Sequence, residues 1–140
     1  MSNPGPAITA STHPTNLATN QALRLIASAQ AVNLNSVADT IAPILSAGNV
    51  SVVSIIVANA STSLTTAQIG VYTLAGGNGT AVKSAYAVSG NNSTTAVVVT
   101  AATSTDSVAT TPLFIRCTTV QGAAATADVF IYGYDLTFLP

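Results

Sequence analysis

From Ser51 onward the chain keeps returning to short runs of β-branched and aromatic residues, each closed off by Gly, Pro, Asn, Ser or Thr. This cadence restricts the fold more than any other feature. Residues 51–58 (SVVSIIVA) are β-branched almost throughout, and alternation places Val53, Ile55 and Val57 on one face, Val52 and Ile56 on the other. A strand apolar on both sides is expected to be covered on both sides. Residues 68–74 (QIGVYTL) and 80–88 (TAVKSAYAV) flank Ala75-Gly76-Gly77-Asn78-Gly79, whose glycines and Asn-Gly pair suit the positive φ angles of a hairpin. Residues 94–100 (TTAVVVT) and 113–120 (LFIRCTTV) read as two more strands, parted by a Ser/Thr/Ala loop around Asp106 and by Pro112. Residues 127–139 (ADVFIYGYDLTFL) close the chain.

The first third is less uniform. In residues 21–30 (QALRLIASAQ) Ala, Leu and Arg favour helix, whereas Leu23, Leu25 and Ala27 alternate with Arg24 and Ser28 as in a strand. The strand reading is preferred because everything downstream is β. Val32-Asn33-Leu34-Asn35 alternates cleanly, and residues 40–45 form a strand-like run whose Pro43 demotes it to a sheet edge. Residues 1–20 carry Pro4, Gly5, Pro6 and Pro14 among Asn, Ser and Thr, with Ile8 and Leu17 as bulky apolar groups, the pattern of an extended arm. The expected architecture is all-β: a single antiparallel β-sandwich over residues 21–140, jelly-roll-like, of about eight strands, with that N-terminal arm.

Charge is the second constraint. Arg24, Lys83, Arg116, Asp39, Asp106, Asp128 and Asp135 are the complete set, with no Glu, so charged residues make up 5% of the chain. An average soluble domain has roughly 25%. Such a surface does little to oppose close approach, which suits a subunit living against other proteins. Three cations and a net charge of −1 do not provide the clustered Lys and Arg that phosphate neutralisation needs, so nucleic acid is not an expected partner. A mean hydropathy of +0.54 with little net charge excludes a disordered chain. No run approaches the ~18 apolar residues of a membrane helix, and no membrane association is expected. The N-terminal sequence has neither the basic nor the apolar region of a secretory signal, which predicts cytoplasmic synthesis. Cys117 is the sole cysteine and suits a reducing compartment.

The residues offer little chemistry. His13 is alone in the arm beside Pro14, where a solvent-exposed role outweighs a ligand or switch role. Asp39 and Asp106 read as turn residues whose carboxylates bond nearby backbone N–H groups, with calcium between loops as the alternative. Asp128 and Asp135, seven residues apart on one strand, fall on opposite faces. Cys117 shares a face with Leu113 and Ile115, while Arg116 points the other way; a buried, inert thiol is favoured over a nucleophile. The glycine-rich loop lacks the Lys-Ser/Thr and helix of a phosphate cradle. No catalytic residue, cofactor site or metal site is expected. The last strand sets Phe130, Tyr132, Tyr134, Leu136 and Phe138 on one face, which reads either as an inward core face or as a subunit-interface stripe.

Three stretches carry a resemblance. They are Val32-Asn33-Leu34-Asn35-Ser36-Val37-Ala38-Asp39-Thr40; residues 59–67 (NASTSLTTA) running into Gly70-Val71-Tyr72-Thr73 and the Gly-rich turn; and residues 127–136 (ADVFIYGYDL). Together they resemble the small β-sandwich head decoration, or cement, proteins of tailed bacteriophage capsids, over most of residues 30–137. The resemblance implies a homotrimer on the outer surface of the virion that binds the major capsid protein and locks neighbouring capsomers, with no catalytic residues. The arm lies outside the resemblance, but an extended Pro-containing segment can lie along a neighbour's surface and order on binding, which makes Pro4, Pro6, Ile8, His13, Pro14 and Leu17 candidate contacts with the capsid or with a sister subunit. Phe130, Tyr132, Tyr134 and Phe138 are the candidate subunit interface. The competing expectation is a receptor- or glycan-binding tip module of a tail fibre or surface appendage, against which stand the missing shaft and the absence of Trp.

Overall fold

A computed structural model describes residues 23–45, 49–100 and 112–136. They form eight strands: β1 (Arg24–Asn33), β2 (Asp39–Ala42), β3 (Val50–Ala58), β4 (Gln68–Leu74), β5 (Asn78–Ala87), β6 (Val97–Thr100), β7 (Leu113–Thr119) and β8 (Thr126–Asp135). Two antiparallel sheets result, the first ordered β1-β8-β3-β6 and the second β2-β7-β4-β5. Four pairings nest one inside another: β4 with β5, β3 with β6, β2 with β7 and β1 with β8. A chain folded at its middle into one long antiparallel ribbon produces that set. Rolling the ribbon onto itself adds β3·β8 and β4·β7, which complete the sheets. The all-β sandwich expected from the sequence is therefore present, and its strand order is that of a jelly roll.

The runs expected within residues 21–30 and 32–35 are not separate strands: β1 passes through both from Arg24 to Asn33, with Leu34 and Asn35 following it outside the strand, and crosses a bulge where Ala31 takes a φ of 52°. This conformation is uncommon for a non-glycine residue, and a distant side chain holds it. Asp128 accepts the Ala31 N–H through Oδ1 at 2.9 Å and the Asn59 Nδ2 through Oδ2 at 2.9 Å.

The two sheets bury Ile26, Ile55, Val129 and Ile131 against Ile69, Val71, Leu113 and Ile115, with Leu34 and Leu64 sealing one end from loops. Ala27, Ala29, Ala42, Ala60, Ala67, Ala125 and Ala127 fill the remaining space. Among the described residues the buried hydrophobic set contains no aromatic ring.

Several local expectations change. In β3 the predicted alternation puts Val53 beside Ile55 and Val57, but a register shift between Val52 and Ser54 reverses the phase. The core face is Val50, Val52, Ile55 and Val57, while Val53 and Ile56 face outward and are half-buried, not covered as a two-sided strand would be. β2 ends at Ala42, ahead of Pro43, and is an edge strand as its proline predicts. The β4–β5 hairpin is present, but its positive φ angles belong to Gly76, Gly77 and Gly79; Asn78 is extended at −94°. β6 starts only at Val97, because the Asn92 Oδ1 accepts the N–H groups of Thr94 and Thr95 and folds those residues into a turn.

The connections β1–β2, β3–β4, β5–β6 and β7–β8 gather at one end and are bonded to each other. Leu34 N–H donates to Ala125 O, Gln121 N–H to Leu34 O, Ser61 N–H to Thr126 O and Leu64 N–H to Asn91 O. At the opposite end of the first sheet, Leu136 N–H donates to Asn49 O and joins the end of β8 to the start of β3.

Candidate interaction surfaces

Register and burial fix which side of β8 faces the core. Ala127, Val129, Ile131, Gly133 and Asp135 are buried, whereas Phe130, Tyr132 and Leu136 are half-buried and Tyr134 is exposed. The inward-core reading of the aromatic face is thus corrected: the rings stand on the outer face of the first sheet. The core side has no room for them, because the strand beside it presents Ala27 and Ala29 and the core face of β8 itself passes through Gly133. Phe138, Asp106 and the arm set Pro4, Pro6, Ile8, His13, Pro14 and Leu17 lie outside the described residues.

Cross-strand register extends the ring stripe sideways. Phe130 lies between Ser28 of β1 and Ile56 of β3, and Ile56 is opposite Val98 of β6, which is 66% exposed. Tyr132 lies between Leu25 and Ser54, and Tyr134 opposite Ser51. The outer face of the second sheet carries a smaller row, Ile41–Phe114–Tyr72, with Ile41 exposed. Tyr72 folds back over Gly70, where any Cβ would lie within 2.6 Å of its ring, so the ring depends on that glycine. Tyr86 is the one described ring that packs against the core cluster.

The described carboxylates all have structural partners. Asp39 stands at the start of β2, not in a turn bonding its neighbours. Its Oδ1 pairs with Arg116 Nη1 at 3.0 Å, and its Oδ2 accepts the N–H of Gly76, 37 residues away, at 2.6 Å. One side chain thereby ties an edge strand, β7 and the hairpin turn together. Asp39→Ala strands a guanidinium that is only 25% exposed and is expected to lower stability by about 2 kcal/mol. Asp39→Asn, which keeps an acceptor, should lose less; urea unfolding of both variants checks the order. Asp135 is buried on the inner face and pairs with Arg24 at 3.3 Å, and Asp128 spans Ala31 and Asn59 on the other face, so these two do lie on opposite faces.

Cys117 is buried beside Leu113 and Ile115 as the alternation predicts, and its Sγ donates to Thr119 O at 3.4 Å. Burial pushes its thiol above the ordinary 9.0, partly opposed by the Arg116 charge. Burial likewise pushes Tyr86, whose hydroxyl has no hydrogen-bond partner among the described residues, well above its ordinary 10.0. Both shifts favour the neutral form in the folded state, so their stabilising contribution is complete below pH 9 and is lost as pH rises past the ordinary values. Unfolding free energy is expected to decline above pH 9. Cys117 should react with an aromatic disulfide reagent only at the rate of unfolding, and immediate native-state labelling would contradict its placement.

Two polar residues carry structure that the sequence pattern did not mark. Gln121 Oε1 accepts the N–H groups of Thr65, Thr66 and Ala67 at 3.1, 3.2 and 3.3 Å, while Nε2 reaches Ser63 O and Thr65 Oγ1. Asn91 is fully buried with neither side-chain polar atom partnered among the described residues. Among the described residues no group of three or more His, Cys, Asp or Glu is placed to hold a metal ion, and no helix is long and apolar enough to cross a membrane. No family model matches the chain, and no curated protein sequence matches it.

Proposed function

We propose that this chain is a structural virion protein, a decoration or cement subunit that binds the major capsid protein of a tailed-bacteriophage head from outside and stabilises capsomer contacts as a homotrimer. The observation that carries this reading is the inversion of aromatic and aliphatic residues: among the described residues the buried core is Ala, Val, Ile and Leu with Cys117, while Phe130, Tyr132 and Tyr134 stand on an outer sheet face. Aromatic rings are enriched where protein surfaces meet, and a monomer gains more from burying them in its own core. With seven charged residues in the whole chain, little opposes that contact. A subunit present in many copies accumulates weak apolar contacts into firm attachment. The protein acts by binding alone, without catalysis or a cofactor, and without nucleic acid or membrane as a partner.

The outward tyrosines also favour a second reading, a receptor- or glycan-binding tip, because exposed rings stack on sugar faces. Light scattering on the protein alone, followed by co-sedimentation with heads that lack it, separates the two. A trimer that pellets with the heads supports the capsid reading. A chain that ignores heads but binds cells or glycan arrays overturns it in favour of the tip.

A further inference from the structure

An antiparallel sheet with a free edge offers unpaired N–H and C=O groups to any extended chain, and folded proteins guard such edges with charges, prolines, bulges or short length. Among the described residues the strand orders end at four edges, β1 and β6 in the first sheet, β2 and β5 in the second, and that of β1 is partly taken by Ile44, which bridges Ala27, and by Leu45, whose N–H donates to Ile26 O. β1 is interrupted by two register shifts, with Ala31 in a left-handed conformation. β2 is four residues long, begins with the Asp39–Arg116 pair and is followed by Pro43. β5 carries Lys83 and meets β4 through three register shifts. β6 is as short as β2 but has none of the other guards among the described residues. Its residues Val97, Val98, Val99 and Thr100 are uncharged and pair with β3 in unbroken register from Val57 to Ser54.

We propose that β6 is an acceptor edge, and that residues 7–13 of a neighbouring copy add to it as an antiparallel strand, extending the first sheet across the subunit boundary. This segment fits by chemistry and by reach. Residues 1–22 contain no Asp, Glu, Lys or Arg, so pairing with β6 buries no unmatched charge. Residues 7–13 (AITASTH) lie between Pro6 and Pro14 and so form a stretch in which every residue has an N–H to donate. Twenty-two residues extend to about 70 Å, several times the ~14 Å that separates β1 from β6 across the sheet. Geometry favours a neighbour's segment over the chain's own. An antiparallel strand beside β6 ends at the far end of the sandwich from Leu23, so residues 14–22 of the same chain would have to return along the strands and across all four of them. A neighbour's segment needs no such return, and a donor-to-acceptor contact repeated around an axis closes into a ring, as a homotrimer requires.

The test is disulfide trapping in the full-length protein without any capsid. One sample carries Val98→Cys; others carry a cysteine at one position from 7 to 13, such as Ile8→Cys or Ala10→Cys. Mixed samples, after exchange of subunits and mild oxidation, are run on non-reducing gels. A reductant-sensitive two-chain band from at least one mixture, and from neither parent alone at that yield, is the expected result. Absence of the band at every position overturns the inference, as does a doubly substituted chain that closes only on itself. Light scattering of the same samples keeps this separate from the capsid reading: a trimer that gives no trapped band removes the strand exchange and leaves the trimer standing.

Discussion

Gly133→Ala is expected to remove a large share of the protein's stability. Gly133 lies on the core face of β8, between Arg24 of β1 and Val52 of β3. A Cβ there would fall on the Ser51 carbonyl oxygen, with the Ser51 carbonyl carbon and Val52 Cα each at 2.9 Å. All three obstacles are backbone, so no rotamer change relieves them. β3 would have to move, and it is fixed on its other side by β6. Overpacking against side chains typically costs 1–3 kcal/mol; a clash between two central strands is expected to cost about 4 kcal/mol or more, a large share of a domain's ~5–15 kcal/mol. Circular dichroism and urea unfolding of Gly133→Ala measure it. A midpoint close to that of the unaltered protein would mean that β3 and β8 are not held at this spacing.

Tyr132→Asp should do the opposite, sparing the fold and abolishing association. In one copy the side chain stands half-buried on the outer sheet face, where a carboxylate retains much of its hydration, so the unfolding free energy should fall by no more than about 1 kcal/mol. In a contact between copies or with the capsid the same carboxylate would be desolvated with no partner. Loss of a central aromatic contact costs about 2 kcal/mol or more, which is roughly 30-fold in affinity. For the proposed homotrimer, the mass by light scattering should therefore drop to that of one chain with the circular dichroism spectrum unchanged. A variant that unfolds would place the ring in the core, and one that associates normally would remove the stripe from the interface.

These two neighbouring positions also mark where the sequence was legible and where it was not. The β-branched runs and their turns located the strands, because strand propensity and turn chemistry are local. The phase of β8 was not legible, since Val129 and Ile131 alternate with Phe130 and Tyr132 and both faces are apolar. The ring face read either as core or as interface. What decides the matter is the space left by Ala27, Ala29 and the β3 backbone, which belongs to other segments of the chain. Gly133 and Asp135 in the opposite phase were the available hint, as glycine within a strand often marks a close backbone approach. The shift at Val52–Ser54 reversed β3 in the same unseen way. Gln121 gave no signal and Asp39 was read as a turn residue bonding its neighbours, because their partners lie 54 to 58 and 37 to 77 residues away.

The nested pairing of the strands has a consequence for how the chain reaches this state. Among the described residues only the β4–β5 hairpin joins neighbours in sequence; each later pair encloses the one before, and the outermost joins Arg24 to Gly133. Closing that outermost loop from a random coil costs more entropy than closing the hairpin, but once the inner pairs have formed each further closure spans only a short remaining gap. Assembly is thus expected to run outward from the hairpin like a zipper, on the millisecond-to-second scale of proteins rich in distant contacts. During synthesis β1 emerges first yet finds its partner last. A nascent chain with so few charges must wait, for most of its translation, with its earliest strand unpaired.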